Sequence, residues 1–86
     1  MSYRVVVTPP PAKFLGRLRD ESLKRRITKA LRSLETNPRP PGCVKLQGGE
    51  DLYRVRVGDY RILYEIQDGI LVVLVVEIGN RRDIYR

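Results

Sequence analysis

Eighty-six residues carry seventeen Lys and Arg against ten Asp and Glu, a formal charge of +7, with no His and one cysteine, Cys43. A chain this short buries only about 60–65% of the surface its unfolded form exposes, so a single domain spanning 1–86 is expected, with its chemistry on the outside of one sheet or helix pair. Without His, a Cys–His pair and a Ser–His–Asp triad are excluded, zinc loses its usual ligands, and one cysteine allows no disulfide framework. Catalysis is left to Arg, Lys, Tyr or carboxylates, and neither a metal nor a cofactor is called for.

The start, Met-Ser-Tyr-Arg-Val-Val-Val-Thr, is too short in its apolar part for a secretory leader and runs into Pro9-Pro10-Pro11. The longest apolar run, Ile70 to Val76, is far short of a membrane span, so a cytoplasmic protein without membrane attachment is expected. Tyr3 to Thr8 reads as a short strand ended by the prolines. Proline is tolerated in a helix's first turn, which lets Pro10 to Leu18 form a helix with Phe14, Leu15 and Leu18 turned inward. Asp20 is a candidate N-cap for a second helix reaching about Glu35. There Leu23, Ile27, Ala30, Leu31 and Leu34 form one apolar stripe at helical spacing, with Lys24, Arg25, Lys29 and Arg32 on the other side.

Asn37-Pro38 stops that helix, and residues 37–51 are dense in turn residues. They read as an ordered crossover with Val44 and Leu46 anchored in the core. Strands follow at Leu52 to Val57, Tyr60 to Ile66 and Ile70 to Ile78, separated by Gly58-Asp59 and Gln67-Asp68-Gly69, with the last strand central and broken by Gly79-Asn80. The order β-α-α-β-β-β is α+β: an antiparallel sheet with an N-terminal helix hairpin packed on one face.

A two-residue loop at Gly58-Asp59 sets position 57 opposite 60, 56 opposite 61, 54 opposite 63 and 53 opposite 64. Strand side chains alternate, so Tyr53, Val55, Val57, Tyr60, Ile62 and Tyr64 share an apolar face that must meet the helices. A three-residue turn at 67–69 would set Ile66 opposite Ile70 and add Val72, Leu74, Val76 and Ile78 to that face. The other face carries Arg54, Arg56 and Arg61, with Arg56 and Arg61 direct cross-strand neighbours. Like charges directly opposite destabilise a sheet, so the arrangement points to an anion site, a phosphate bridged by two guanidinium forks. The competing reading is a solvated face on which Glu65 and Glu77 serve as counter-charges. Thirteen arginines in all make this surface suited to nucleic acid or to an acidic protein.

The run Leu-Tyr-Arg-Val-Arg-Val-Gly-Asp-Tyr-Arg-Ile-Leu-Tyr-Glu-Ile at 52–66, followed by Gly-Asn-Arg-Arg-Asp-Ile-Tyr-Arg at 79–86, resembles the RelE branch of the RelE/ParE toxins. The resemblance extends over the opening strand, the helix pair ending in Asn-Pro, and the Leu-x-Gly step at 46–48. The Arg-Arg-Asp-Ile-Tyr ending favours RelE over ParE. What it implies is the toxin of a type II toxin–antitoxin pair: a ribosome-dependent, metal-independent mRNA endonuclease in which the RNA 2′-hydroxyl attacks the adjacent phosphorus.

By motif position Arg54 and Arg56 stand at the family's two basic positions, Arg61 at its Tyr-Arg-x-x-Tyr arginine, Arg81 at the tail arginine and Tyr85 at the tail tyrosine, the candidate base. Lys45, Arg82 and Arg86 are candidates for RNA or phosphate contact. The implied partners are a RelB-like, acidic antitoxin and the ribosome with mRNA in its decoding site, DNA being met only through the antitoxin complex. Two departures stand out: Asn80 where relatives often have His, and Arg for Lys in the hairpin. Two other readings share the residues: a ParE-like inhibitor of DNA gyrase, and a non-catalytic basic RNA-binding module. The second is disfavoured because the hairpin tyrosines face the core, whereas single-strand binders display aromatic platforms.

Overall fold

A computed structural model describes residues 2–49 and 51–80. The elements run β1 (Arg4–Val7), α1 (Pro9–Arg17), α2 (Glu21–Thr36), β2 (Val44–Lys45), β3 (Leu52–Val57), β4 (Tyr60–Gln67), a single 3₁₀ turn (Asp68–Ile70) and β5 (Val72–Asn80). They build an α+β fold: five strands in the order β1-β5-β4-β3-β2, with both helices on one face.

Local chemistry explains the helix ends. Pro9, Pro10 and Pro11 occupy the first turn of α1, where N–H groups have no intrahelical partner, so three prolines leave no orphan donors there. The first helical bond runs from Ala12 N to Thr8 O at 3.0 Å, and the Thr8 hydroxyl donates to Val75 O at 2.8 Å, fastening the helix start to β5. In α2 the expected cap is present: Asp20 Oδ1 accepts from Leu23 N at 3.0 Å. The apolar stripe is buried as the spacing requires, with Leu23, Ile27, Leu31 and Leu34 in the core beside Ile62, Tyr64, Ile66, Val73 and Val75.

The β3–β4 register agrees residue for residue with the reading from the Gly-Asp loop, including Arg56 opposite Arg61 and Tyr53 opposite Tyr64. Gly58 takes φ +59° and Asp59 does not enter positive φ, the pattern of a II′ turn, whose twist suits a tight hairpin.

The structure departs from the sequence-based expectation at four places. First, the β4–β5 connection is longer than three residues: 68–70 wind a 3₁₀ turn, Leu71 adopts φ 54°, and Gln67 pairs with Val72. The shift is odd, so it exchanges faces. Val73 and Val75, not Leu74 and Val76, meet the helices, and Val72 lies on the far face. Second, Gly79-Asn80 does not break the strand; both residues pair, with Arg61 and Tyr60. A bulge between Leu63 and Tyr64 absorbs one extra residue of β5 and returns Ile78 to the core face. Third, Val44 is 42% exposed instead of anchored in the core, because 44–45 form an edge strand on β3. Fourth, the sheet is antiparallel from β2 through β5, but β1 joins β5 in parallel, Arg4 beside Val72 and Val7 beside Val75. β5 is thus an interior strand, as its β-branched run suggested.

A candidate active site on the sheet face opposite the two helices

With both helices on the tyrosine face, alternation places Arg54, Arg56 and Arg61 together on the other. The loop flanks Val57–Tyr60, a hydrogen-bonded pair, so Arg56–Arg61 is a non-hydrogen-bonded pair, in which Cα atoms approach to about 4.5 Å and side chains are closest. On its other side Arg61 pairs with Gly79, which has no side chain to compete for the space beside the guanidinium. Arg61 is only 4% exposed, Arg54 half-buried and Arg56 exposed. The three grade from the sheet's interior to its surface. Arg54, Arg61 and Asn80 each engage a partner.

Carboxylates stand at the diagonals of this face. Glu77 pairs with Leu63, two positions from Arg61, and Glu65 pairs with Leu52, two positions from Arg54. Diagonal neighbours are about 7–8 Å apart, within reach of long side chains, so these carboxylates moderate the repulsion. The Arg56–Arg61 pair thus sets an exposed arginine directly across from a buried one, two positive charges at one backbone pair, and a phosphate's several oxygens can satisfy more than one guanidinium.

The remaining sequence candidates separate. Lys45 pairs with Tyr53, so it lies on the tyrosine face, divided from the arginine row by the sheet; Val44, opposite Arg54, takes the arginine side. Arg81, Arg82, Tyr85 and Arg86 lie outside the described residues. The last described residue, Asn80, pairs with Tyr60, one position from Arg61 and beside the hairpin turn.

At the other end of the sheet is a network that the sequence reading did not assemble. Arg39 Nη2 and Asp68 Oδ2 form an ion pair at 2.9 Å, and Arg39 Nε donates to Tyr53 Oη at 3.2 Å with its guanidinium 5.3 Å from the Tyr53 ring centroid. Tyr3 Oη donates to Asp68 Oδ1 at 2.6 Å. Tyr64, stacked on Tyr53 at 6.1 Å, donates to Pro38 O at 2.8 Å. The hydrogen bonds from Arg39 and then Tyr3 hold the Asp68 carboxyl below its usual range, the Asp68 contact raises Tyr3, and burial raises Tyr64. A buried tyrosine pair needs hydroxyl partners, and that need was the available signal. The network ties β1, the proline-rich crossover and the β4–β5 turn together.

Residues 5–85 match the family profile described as the ParE toxin of the type II toxin–antitoxin system, parDE. The toxin RelE of Mycobacterium tuberculosis is 32% identical over 84 residues, covering 98% of this chain and 87% of that protein. A putative RelE-like toxin protein of Escherichia coli is 31% identical over 70 residues, 77% of this chain and 73% of its own. Among solved structures, the archaeal RelE–RelB complex from Pyrococcus horikoshii OT3 contains a chain that superposes with a TM-score of 0.83 at 32% identity, covering 94% of this chain and 97% of that one. A fold shared at that level, with a profile spanning nearly every residue, leaves one assignment: the chain belongs to the ParE toxin family of type II toxin–antitoxin systems, within the RelE/ParE superfamily.

Proposed function

We propose that this toxin is an endoribonuclease that cuts mRNA in the decoding site of the ribosome, without a metal, by attack of a 2′-hydroxyl on the adjacent phosphorus. The observation that carries the reading is the Arg56–Arg61 pair, flanked by Arg54, on the sheet face opposite α1 and α2. The pentacoordinate transition state gathers negative charge on its phosphoryl oxygens, and fixed cations stabilise that charge more than the ground state. Tyr85 is the proposed base toward the 2′-hydroxyl, and Arg81 a further cation at the reacting phosphate. Arg82 and Arg86 extend the phosphate contacts, and Lys45 reaches RNA from the opposite side of the sheet edge. The attacking oxygen, the bond to phosphorus and the departing 5′-oxygen all belong to the RNA, so the chain's task is to orient and to neutralise, with the ribosome fixing the substrate.

The expected partner is an acidic antitoxin, captured fast because of the +7 charge; the P. horikoshii relative is seen in a RelE–RelB complex. DNA would be met through that complex, and the toxin would act in the cytoplasm. The test is a reconstituted translation reaction with mRNA ends mapped by primer extension. Cuts within the decoding site, reduced about 10²–10³-fold by Arg81→Ala and by Tyr85→Phe, are the expected result. Intact mRNA with the unmodified protein would sink the reading.

The ParE description of the matching profile favours one second reading, a DNA gyrase inhibitor. In that case gyrase-dependent DNA breakage would appear while mRNA stays whole, and removal of 81–86 would leave it largely unchanged.

A further inference from the structure

A bulge decides which face Glu77 occupies. From Gln67–Val72 to Tyr64–Val75 the β4–β5 pairs follow one register, and from Leu63–Glu77 to Tyr60–Asn80 they follow another, displaced by one residue of β5. Had the first register continued, Ile62 would stand opposite Glu77, and the glutamate would face the helices among the core residues. The bulge at Leu63/Tyr64 turns Ile78 inward and brings Glu77 out on the arginine face, exposed, beside the strand that carries Arg61. Bulges next to functional sites re-aim side chains in this way. Gly79, the next residue of β5 on that face, adds no side chain between Glu77 and the hairpin end. Glu77 makes no hydrogen bond or ion pair with a described residue, although its diagonal position puts it within reach of Arg61.

Resting on the ribonuclease reading, we propose that Glu77 is the group that finally takes the proton released by the 2′-hydroxyl. The reading gives the base role to Tyr85, and a tyrosine of ordinary acidity is protonated at neutral pH, so it must pass its own proton on. A carboxylate is ionised there and open to a proton. Of the two strand carboxylates on the arginine face, Glu65 is half-buried and lies beyond Leu63 from the Arg56–Arg61 pair, whereas Glu77 is exposed and stands diagonal to Arg61. A contact ion pair with Arg61 would occupy the carboxylate's lone pairs, and Glu77 keeps them. As the 2′-oxygen bonds to phosphorus, its proton passes to the Tyr85 oxygen and the Tyr85 proton passes to Glu77. The bond from phosphorus to the 5′-oxygen breaks, that oxygen takes a proton from water, and Glu77 returns its proton to solvent. The arginine row meanwhile holds the phosphoryl charge.

Cleavage of mRNA in ribosome complexes saturated with the protein tests this, because charge and chemistry predict opposite signs. If Glu77 were only a negative charge on an RNA-binding face, Glu77→Gln would tighten substrate binding and leave or raise the rate. As a proton acceptor it is expected to lower the saturated rate about 10²-fold in Glu77→Gln, with the concentration for half-maximal cutting unchanged or lower. Glu77→Asp keeps a carboxylate one methylene back and should cut about tenfold faster than Glu77→Gln. Glu65→Gln removes an equal charge from the same face and should leave the saturated rate unchanged. Gln is close to Glu in shape and position 77 is exposed, so the thermal midpoint of Glu77→Gln should match that of the unmodified protein. A Glu77→Gln protein that cuts at full rate, or an equal loss in Glu65→Gln, would overturn the assignment while the nuclease reading stands. Intact mRNA with the unmodified protein would remove that reading and this step together.

Discussion

Arg56 and Arg61 face each other across a backbone pair where a stability-driven sequence would place a threonine or a glutamate. Arg56→Thr is therefore expected to raise stability by about 0.2–1 kcal/mol, read as an upward shift in the thermal midpoint, while cutting activity falls roughly 10²-fold. A loss of stability would mean that the pair is held by its surroundings and is not an unrelieved repulsion. The pair was legible in the sequence because Gly-Asp fixes the hairpin register, and register fixes faces. The Arg39–Asp68–Tyr3 network was not legible: its members lie 65 and 29 positions apart, and nothing local marks any of them.

At the scale of elements, the hairpin and α2 depend on single backbone requirements. Gly58→Ala forces a side chain into φ +59° and against the Arg26 guanidinium, and should cost about 1–2 kcal/mol in chemical denaturation. Asp20→Ala removes the acceptor for Leu23 N and should cost about 1 kcal/mol in the same assay. Both positions were readable, one as the turn residue of a two-residue hairpin and one as a cap. The β4–β5 turn misled because its Asp-Gly suggests a short loop, whereas the chain spends Leu71 at positive φ, a conformation that leucine rarely adopts. The bulge beyond it could not be inferred from alternation, which it interrupts. Without those two features the helix-facing side of β5 is assigned to the wrong residues, as happened with Leu74 and Val76.

Across the whole molecule, the network around Asp68 gives stability a plateau. Asp68 is depressed in the folded state, so its contribution is present above the ordinary carboxylate value of 3.8 and is lost as pH falls through the lower folded value. Tyr3 and Tyr64 are raised, so theirs is complete below the ordinary 10.0 and is lost as pH rises through the folded values. Thermal unfolding from acid to alkali should show both limbs, with Tyr64→Phe flattening the alkaline one and Asp68→Asn the acid one. An alkaline limb of undiminished steepness in Tyr64→Phe would show that other groups set it.

The parallel pairing of β1 with β5 could not be read from local sequence, since it joins residues 68 apart, Arg4 with Val72. It also governs when the molecule can exist. β5 lies between β1 and β4 and supports α1 through the Thr8 bonds to Val75, so a nascent chain that still lacks β5 has no central partner for either neighbour. During synthesis the early segments must wait, unpaired, until β5 has been made. A chain cut short before Val72 is left without the strand that joins β1 to β4, and with it the sheet on which the arginine row stands.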